Sequence, residues 1–315
     1  MQFDNIIIDS NNLYHRNYYT HKDLQTKIKE EVIFTGGIYG FLISLNKIER
    51  LYLKKGGTVY LCFDNMSSTD NLRKNIDPDY KANREKKETP FYRGIDFLQL
   101  ILLNHSEHYK VIYKTAYEAD DYVKPLVNAL PNTSDILLVS EDLDWARAID
   151  KNVLWLNKGE IWDLEKFKEK HSFYPTNNNL MIYKAFKGDK ADNIPIAIPG
   201  FRTKDILKLM ENYNSVYDII GDIKNIDCVS DTWKKALLKN KTRLILNYQL
   251  VSYIEIEKED LKDFTQDCSF NATMLSEIYK LLKFKVSEVD KRILSKFPTK
   301  KKDNDFFGFQ TRDRK

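Results

Sequence analysis

The sequence contains little cysteine and little histidine, and it lacks long apolar runs. Among its 315 residues are three scattered cysteines and five histidines. An odd, scattered set of cysteines does not predict a disulfide framework, and the histidines do not have zinc-type spacing. No apolar run approaches the roughly 20 residues that span a bilayer, and the first residues lack the basic region of a secretory signal. We therefore expect a protein of the reduced cytoplasm that makes no contact with membranes.

Two common signatures of catalysis are also absent. There is no G-x-x-x-x-G-K-[ST] phosphate loop, so nucleoside-triphosphate hydrolysis is not indicated, and no Ser/His/Asp arrangement is readable. The net charge is only +4, from 50 Lys and Arg against 46 Asp and Glu. A nucleic-acid-binding protein can have this balance when an acidic pit is surrounded by basic surface. The distribution of charge along the chain therefore matters more than its sum.

Short apolar runs alternate with helical periodicity in the first half of the chain. The predicted strands cover residues 5–9, 58–64, 111–113, 135–140 and 153–156. The predicted helices between them cover residues 34–52, with Gly56 and Gly57 as the stop signal, 95–103 and 122–130. This alternation predicts an α/β fold with a mainly parallel central sheet flanked by helices.

Carboxylates stand where several of these strands end. Asp9, Asp64 and Asp142 each close or follow an apolar strand, and the carboxyl edge of a parallel sheet is where ligands bind. The other acids that we expect to join them are Glu118, Asp120, Asp121, Asp144, Asp189 and Asp192. Clustered carboxylates repel one another unless cations neutralise them, and ligation by oxygen alone selects Mg²⁺ or Mn²⁺. A helix cap or a turn would explain any one acid, whereas the set predicts a site for two Mg²⁺ ions that can activate water on a phosphodiester.

Residues 65–93 have a different character, with few large apolar residues and many cations. They contain the run Tyr80-Lys81-Ala82-Asn83-Arg84, which by default is a solvated helical face. Its position between two acid-bearing segments favours a second interpretation, in which Tyr80, Lys81 and Arg84 grip a nucleic-acid strand over the acidic site. In that interpretation Lys81 and Arg84 act on the reacting phosphate together with Asp9 and Asp142.

After about residue 175 the pattern becomes helical. The predicted helices cover residues 180–187, 204–210, 232–239, 243–251, 274–284 and 287–294. The connection at 194–204 contains two prolines and Gly200, and Arg202, Lys204 and Lys208 add positive charge. Two helices joined in this way can present backbone N–H groups to a DNA phosphate. A plain helix–helix connection is the alternative, about as well supported by this stretch alone.

Six motifs occur in a fixed order. They are Asp9 with Arg16, Asp64, Tyr80 to Arg84, Glu118 to Asp121, Ser140 to Asp144, and Gly188 to Asn193. In this order they resemble the motifs of the 5′-nuclease superfamily, which includes flap endonucleases, the 5′-nuclease domain of DNA polymerase I and phage ribonucleases H. The similarity to the ribonucleases H of T-even phages is particularly marked. One departure is Ser10, where the superfamily has glycine.

The resemblance implies a domain organisation. Residues 1–175 would form a PIN-like catalytic domain, with 65–93 as a helical arch over the site. Residues 176–296 would form a helical DNA-binding domain with a helix–three-turn–helix motif. Arg16, in the catalytic domain, would also contact the nucleic acid. Some relatives hold K⁺ in this hairpin, but Arg202 replaces the superfamily's second glycine and disfavours left-handed backbone there.

The resemblance also implies a function. We expect a monomeric Mg²⁺-dependent 5′-to-3′ nuclease for RNA–DNA hybrids, duplex 5′ ends and 5′ flaps, which removes RNA primers during replication. Mn²⁺ would substitute for Mg²⁺. The competing hypothesis is a non-catalytic DNA-structure-binding accessory protein, against which the complete set of acids argues.

The last residues, 297–315, look like a flexible tail with adjacent aromatic residues at 306, 307 and 309. Charged chain ends are usually disordered and without function. The aromatic residues favour an alternative, in which the tail packs on its own domain or on a partner. Phage relatives imply a sliding clamp or a single-stranded-DNA-binding protein as that partner.

Overall fold

The computed structural model describes residues 1–64, 71–85 and 87–284. In this part of the chain the strands are β1 Phe3–Asp9, β2 Gln25–Ile28, β3 Glu31–Phe34, β4 Leu53–Cys62, β5 Tyr109–Ile112, β6 Ile136–Val139, β7 Val153–Asn157, β8 Glu160–Trp162 and β9 Thr265–Asp267. Seven of them form one sheet in the order β8-β7-β6-β1-β4-β5-β9, and β2 and β3 form a separate hairpin. The five inner strands are parallel, and the two edge strands are antiparallel to their neighbours.

The sheet register brings the predicted strand ends together. Asp9 is paired with Cys62 at the end of β4, and Ile8 is paired with Val139 at the end of β6. Asp64 and Asp142 follow two and three residues after those strand ends. All three acids therefore lie at one carboxyl edge, as the sequence pattern predicts.

Helices cover both faces of the sheet. In the described residues they are α1 Ser10–Thr20, α2 Thr35–Tyr52, α3 Leu72–Ile76, α4 Thr89–Leu103, α5 Val123–Ala129, α6 Leu164–His171, α7 Asn177–Lys187, α8 Thr203–Asn212, α9 Val216–Gly221, α10 Asp231–Lys239, α11 Lys241–Val251, α12 Lys258–Phe264 and α13 Ala272–Leu281. Two 3₁₀ helices cover Ala119–Tyr122 and Leu143–Ala148. No described helix has both the length and the apolar character to cross a bilayer.

Side chains alternate between the two faces along each inner strand. Ile7 and Leu138 join a core with α5 to α12, whereas Ile6, Ile8 and Leu137 join a core with α1, α2, α4 and α13. This double burial is what a parallel sheet requires. The prediction of a mainly parallel α/β sheet flanked by helices is confirmed.

The glycine pair near residue 56 does not end the helix as we predicted. Helix α2 already ends at Tyr52, and β4 begins at Leu53 and runs through Gly56 and Gly57. The register between β1 and β4 is irregular there, because Gly56 has a left-handed φ of 82° and the strand bulges. A glycine pair can therefore mark a bulge inside a strand as well as a stop.

The C-terminal helices are not packed as a separate unit. Leu180 of α7, Ile206 of α8 and Leu244 of α11 belong to the same apolar cluster as Ile7 and Leu138 of the sheet. The domain boundary at residue 175/176 stays a prediction. The predicted helix at 287–294 and the tail at 297–315 lie outside the described residues, as do residues 65–70 and 86 of the predicted arch.

One half-buried carboxyl connects α2 to the sheet and gives a prediction about stability. Glu49 accepts a 2.9 Å hydrogen bond from the Tyr109 hydroxyl, and burial raises its pKa from 4.5 to about 7. Between pH 4.5 and about pH 7, the folded protein therefore keeps a proton on Glu49 that the unfolded chain has lost. The stability that the protonated Glu49 contributes is lost as the pH rises through this range. The variant Glu49→Gln should be more stable than the wild type by roughly 1–2 kcal/mol at pH 8, with allowance for partial exposure.

At pH 4 the two proteins should have the same free energy of unfolding. Urea denaturation at both pH values measures the difference, and an equal difference at pH 4 and pH 8 would contradict the assignment.

Candidate active site

A cavity of about 550 Å³ opens at the carboxyl edge of the sheet. Seven of the nine predicted acids line it: Asp9, Asp64, Glu118, Asp120, Asp142, Asp144 and Asp192. Lys81 and Arg84 form part of the same wall. The sequence-predicted acids and the basic segment thus meet in one place, although they are up to 183 residues apart along the chain.

Asp9 and Asp64 are held by neutral donors. The Ser140 hydroxyl donates to Asp9 Oδ2 at 2.7 Å, and the Asn12 N–H donates to Asp9 Oδ1 at 3.0 Å. The Ala119 N–H donates to Asp64 Oδ1 at 2.7 Å. These bonds fix the direction of both carboxylates without neutralising them.

The proton affinities of these acids reflect their crowding. Burial and the neighbouring Asp64 raise the pKa of Asp9 to about 8, and burial raises the pKa of Asp64. Burial and Asp121 hold the pKa of Asp120 well above its usual range. The cavity walls and Asp144 raise the pKa of Asp142 to about 6, although part of that side chain reaches solvent. In these carboxylates burial and like charges outweigh the nearby cations, so the site still lacks positive charge.

Asp121 does not face the cavity. Both of its oxygens accept from the Arg73 guanidinium, at 3.0 and 2.7 Å, and both side chains are buried. The Ile254 N–H also donates to it at 3.1 Å. Because its lone pairs are occupied by these donors, we assign Asp121 to this buried ion pair and no longer to the metal ligands.

Lys184 of α7 is a second buried cation beneath the site. Its Nζ lies 2.7 Å from Asp144 Oδ1 and 2.7 Å from Asp189 Oδ2. Although burial opposes it, Lys184 lowers the pKa of Asp144. Asp189 points to this lysine and does not line the cavity, so its part in metal binding stays a prediction.

Tyr80 occupies a different place from the one that we predicted. Its side chain is buried, and its hydroxyl lies 3.0 Å from both Glu118 Oε2 and Asp192 Oδ2. A buried ring with an engaged hydroxyl cannot stack on a base or contact a phosphate as it lies. Tyr80 therefore orients the carboxylates of Glu118 and Asp192. The expectation that it contacts nucleic acid is not met in this structure.

Lys81 and Arg84 are the cations of the basic segment that contact the acids. Lys81 Nζ donates to Glu118 Oε1 at 2.7 Å, and Arg84 Nη2 donates to Asp192 Oδ1 at 2.7 Å. The Arg84 side chain is 52% exposed, so it can turn towards solvent. Arg16 is also half exposed and forms an ion pair with Glu141 at the edge of the site.

The three cations of the predicted hairpin all face solvent. Arg202 precedes α8 with extended backbone and pairs with Asp205 at 2.6 Å, while Lys204 and Lys208 lie one helical turn apart on α8. Gly200 has the left-handed φ of 80°. DNA contact and K⁺ binding at this hairpin stay predictions.

The donor set of the cavity fits hard divalent cations, since it offers carboxylate oxygens and few other ligands. Within the described ranges, however, no three acidic or metal-binding side chains are already arranged as an ion site. The ion pairs explain this. Glu118 and Asp192 are held by Lys81 and Arg84, and Asp144 is held by Lys184.

A family model described as the 5′-3′ exonuclease, N-terminal resolvase-like domain, matches residues 4–172. These residues make up more than half of the chain and carry six of the seven acids of the cavity. The chain belongs to the 5′-3′ exonuclease family. Its place in the 5′-nuclease superfamily, predicted from the six motifs, is confirmed.

Two similar proteins of this family differ in length. The 5′-3′ exonuclease of Aquifex aeolicus is 29% identical over 293 residues, which cover 90% of this chain and 94% of the relative. DNA polymerase I of Caldicellulosiruptor bescii is 29% identical over 295 residues, which cover 89% of this chain and 32% of the polymerase. The chain thus spans about a third of the length of that polymerase.

Solved structures of nucleases share the fold. The bacteriophage T5 flap endonuclease, in a complex with DNA and metal ions, has a TM-score of 0.62 and 18% identity, covering 89% of this chain and 99% of the other. The catalytic core of Rad2, in a complex with a DNA substrate, has a TM-score of 0.53 and 12% identity, covering 93% of each chain. At these identities the comparison establishes the α/β fold.

The sequence analysis did not identify three buried cations that lie beside the acids of the cavity. They are Arg73, Arg147 and Lys184. Arg73 lies in a run of basic residues that reads as a solvated surface. Lys184 precedes Gly188 and Asp189 by about one helical turn, which is the only signal in the sequence that points to it. Arg73 pairs with Glu118 and Asp121, 45 and 48 residues away. Lys184 pairs with Asp144, 40 residues away, as well as with the nearby Asp189. Local patterns do not reveal the distant pairs.

Two adjacent acids give a sharp test of these roles. The variant Asp121→Asn should lower the free energy of unfolding by roughly 3 kcal/mol, because it leaves Arg73 buried without its main counter-charge. The variant Asp120→Asn should leave it unchanged or raise it by about 1 kcal/mol, because it removes a carboxylate that burial and Asp121 already disfavour. Urea denaturation in EDTA measures both, and equal losses in the two variants would contradict this division.

Proposed function

We propose that this protein is a divalent-metal-dependent 5′-to-3′ nuclease that hydrolyses phosphodiester bonds at duplex 5′ ends, in 5′ flaps and in RNA–DNA hybrids. The observation that carries the proposal is the cavity at the carboxyl edge of the sheet, where seven acids face Lys81 and Arg84. Negative and positive groups on opposite walls suit a reaction that needs both metal ions and a bound phosphate. The removal of RNA primers during replication is the physiological role that we infer.

The charge balance of the site supports two divalent ions. Nine acids meet five cations here, which leaves four negative charges if all the acids ionise. The acids are those predicted from the sequence, and the cations are Arg73, Lys81, Arg84, Arg147 and Lys184. Two Mg²⁺ ions would supply the missing four positive charges.

The raised pKa values of Asp9, Asp64, Asp120 and Asp142 mark the carboxylates that would gain most from such ions. Asp9, Asp64, Glu118 and Asp120 would hold one ion, and Asp142, Asp144 and Asp192, with Asp189 behind them, would hold the other. When bound, Mg²⁺ or Mn²⁺ would polarise the phosphate and lower the pKa of a bound water.

The chain's own residues bind and orient the phosphate. Lys81 supplies a compact charge, and Arg84 supplies a planar fork that matches two phosphate oxygens. Both residues now pair with Glu118 and Asp192. If ions took over those carboxylates, Lys81 and Arg84 would be available for a phosphate at the mouth of the cavity.

The first prediction from this proposal concerns metal. In Mg²⁺, the variant Asp142→Asn should lose cleavage by at least about a thousandfold, while its affinity for a 5′ flap stays the same or rises because local repulsion falls. The matched control is Asp267→Asn, an exposed acid on β9 whose side chain is 81% accessible. Single-turnover cleavage of a flap, a nicked duplex and an RNA-primed duplex, side by side, measures the effect and the preference among substrates.

Near-normal cleavage by Asp142→Asn would contradict the two-ion assignment. Failure of the wild type to cleave any of the three substrates would favour the non-catalytic accessory protein.

The second prediction concerns the helical region, where we propose that the hairpin between α7 and α8 binds duplex DNA. The double variant Lys204→Ala and Lys208→Ala removes two exposed cations on one face of α8. It should weaken duplex binding roughly tenfold at low salt, irrespective of the DNA sequence. The slope of log affinity against log salt concentration should fall by the equivalent of about two phosphate contacts. The control Lys110→Ala lies on β5, away from α8, and unchanged affinity in the double variant relative to this control would exclude the contact.

The third prediction concerns residues 303–315, which lie outside the described part of the chain. We propose that their adjacent aromatic residues fill an apolar groove of a replication partner, and a sliding clamp is our first candidate. Deletion of residues 303–315 should leave the cleavage of a bare flap unchanged and abolish any stimulation by the loaded clamp. Equal stimulation of the full-length and shortened proteins would show that the tail does not serve this purpose.

A further inference from the structure

The end of α11 and the loop that follows it lie directly behind the acid cavity. The Arg73 guanidinium donates to the carbonyl oxygens of Leu250 and Ser252, each at 3.0 Å. The Ile254 N–H donates to Asp121, and the Tyr253 hydroxyl donates to the Asp144 carbonyl at 3.2 Å. Residues 250–254 therefore contact the charged groups of the site, although they belong to the helical region far along the chain.

Arg147 is held in one orientation by these residues. Its Nη1 donates to the Val251 carbonyl at 2.7 Å, and its Nε donates to the Asp144 carbonyl at 3.1 Å. The Tyr253 ring covers the guanidinium, whose Cζ lies 3.6 Å from the ring centroid. Among the described residues, the remaining nitrogen, Nη2, is buried without a hydrogen-bond partner.

That free nitrogen points at two acids of the cavity. Arg147 Nη2 lies 3.6 Å from Asp120 Oδ2 and 3.8 Å from Asp144 Oδ2. These distances are short enough for charge attraction but too long for hydrogen bonds. The guanidinium thus lowers the repulsion between the two carboxylates without a hydrogen bond to either Oδ2 atom, while Asp144 Oδ1 accepts from Lys184.

We propose that Tyr253 is a positioning residue for the divalent-cation site. Its ring and hydroxyl fix Arg147 and the Asp144 backbone, so that the Oδ2 atoms of Asp120 and Asp144 stay available to the ions. The proposal rests on the metal-dependent function proposed above. It also means that residues 1–175 do not contain a complete site, because the positioning group comes from residue 253.

Metal affinity tests the proposal without any measurement of cleavage. In the full-length protein, Tyr253→Leu should lower the affinity for Mn²⁺ roughly tenfold, followed by the paramagnetic resonance signal of free Mn²⁺. Tyr253→Phe keeps the ring over Arg147 and should stay within about threefold of the wild type. Arg147→Lys keeps the charge but loses the planar fork, so it should behave like Tyr253→Leu.

The matched control is Tyr217→Leu. Tyr217 is also a tyrosine of the helical region, and its half-exposed ring packs edge-on against Tyr248 at 5.5 Å, away from the cavity. Wild-type Mn²⁺ affinity in Tyr253→Leu, or an equal loss in Tyr217→Leu, would overturn the proposal. If the wild type did not cleave nucleic acid but its Mn²⁺ affinity still depended on Tyr253, the nuclease proposal would fail and the positioning role would stand.

Discussion

Mutual repulsion among carboxylates in one cavity is the constraint that shapes this protein. Burial makes it severe, because charges separated by a few ångströms interact strongly when little water screens them. Arg73, Arg147 and Lys184 offset part of it, and each reaches the site from a different element. The offset is incomplete, as the raised pKa values of Asp9 and Asp120 show. The fold is therefore stable enough to keep the acids together and still retains a demand for positive charge.

The acids and the buried cations that offset them are supplied by different secondary-structure elements. Asp9, Asp64 and Asp142 lie at or just after the ends of parallel strands, so the sheet places them, whereas Asp192 lies in the loop after α7. The buried cations come from the helices and turns packed against the sheet, and residues 250–254 fix two of them. One apolar cluster includes both groups of elements. Formation of the site thus depends on the packing of the whole described chain.

How far apart two interacting residues are along the chain explains what the sequence could predict. Asp9, Asp64 and Asp142 were predictable because a strand, its end and the following acid are neighbours in the chain. The pairing of Arg73 with Asp121 was not, because the two residues are 48 positions apart and each looks ordinary by itself. Tyr80 was misread for a related reason, since an aromatic residue in a basic run gives no sign of whether its ring is buried. Gly56 and Gly57 fitted a helix stop and a strand bulge equally well, and only the register with β1 decides between them.

The basic segment is joined to the acidic loop that it faces. The Lys81 N–H donates to the Asp192 carbonyl at 2.9 Å, and Asn83 donates to the Lys190 carbonyl at 2.9 Å. With the ion pairs of Lys81 and Arg84, these bonds hold the two walls of the cavity together. In the function proposed above, divalent ions would compete with Lys81 and Arg84 for the carboxylates of Glu118 and Asp192. The ion pairs that hold the two walls together would therefore be the first contacts to open when the cavity takes up ions.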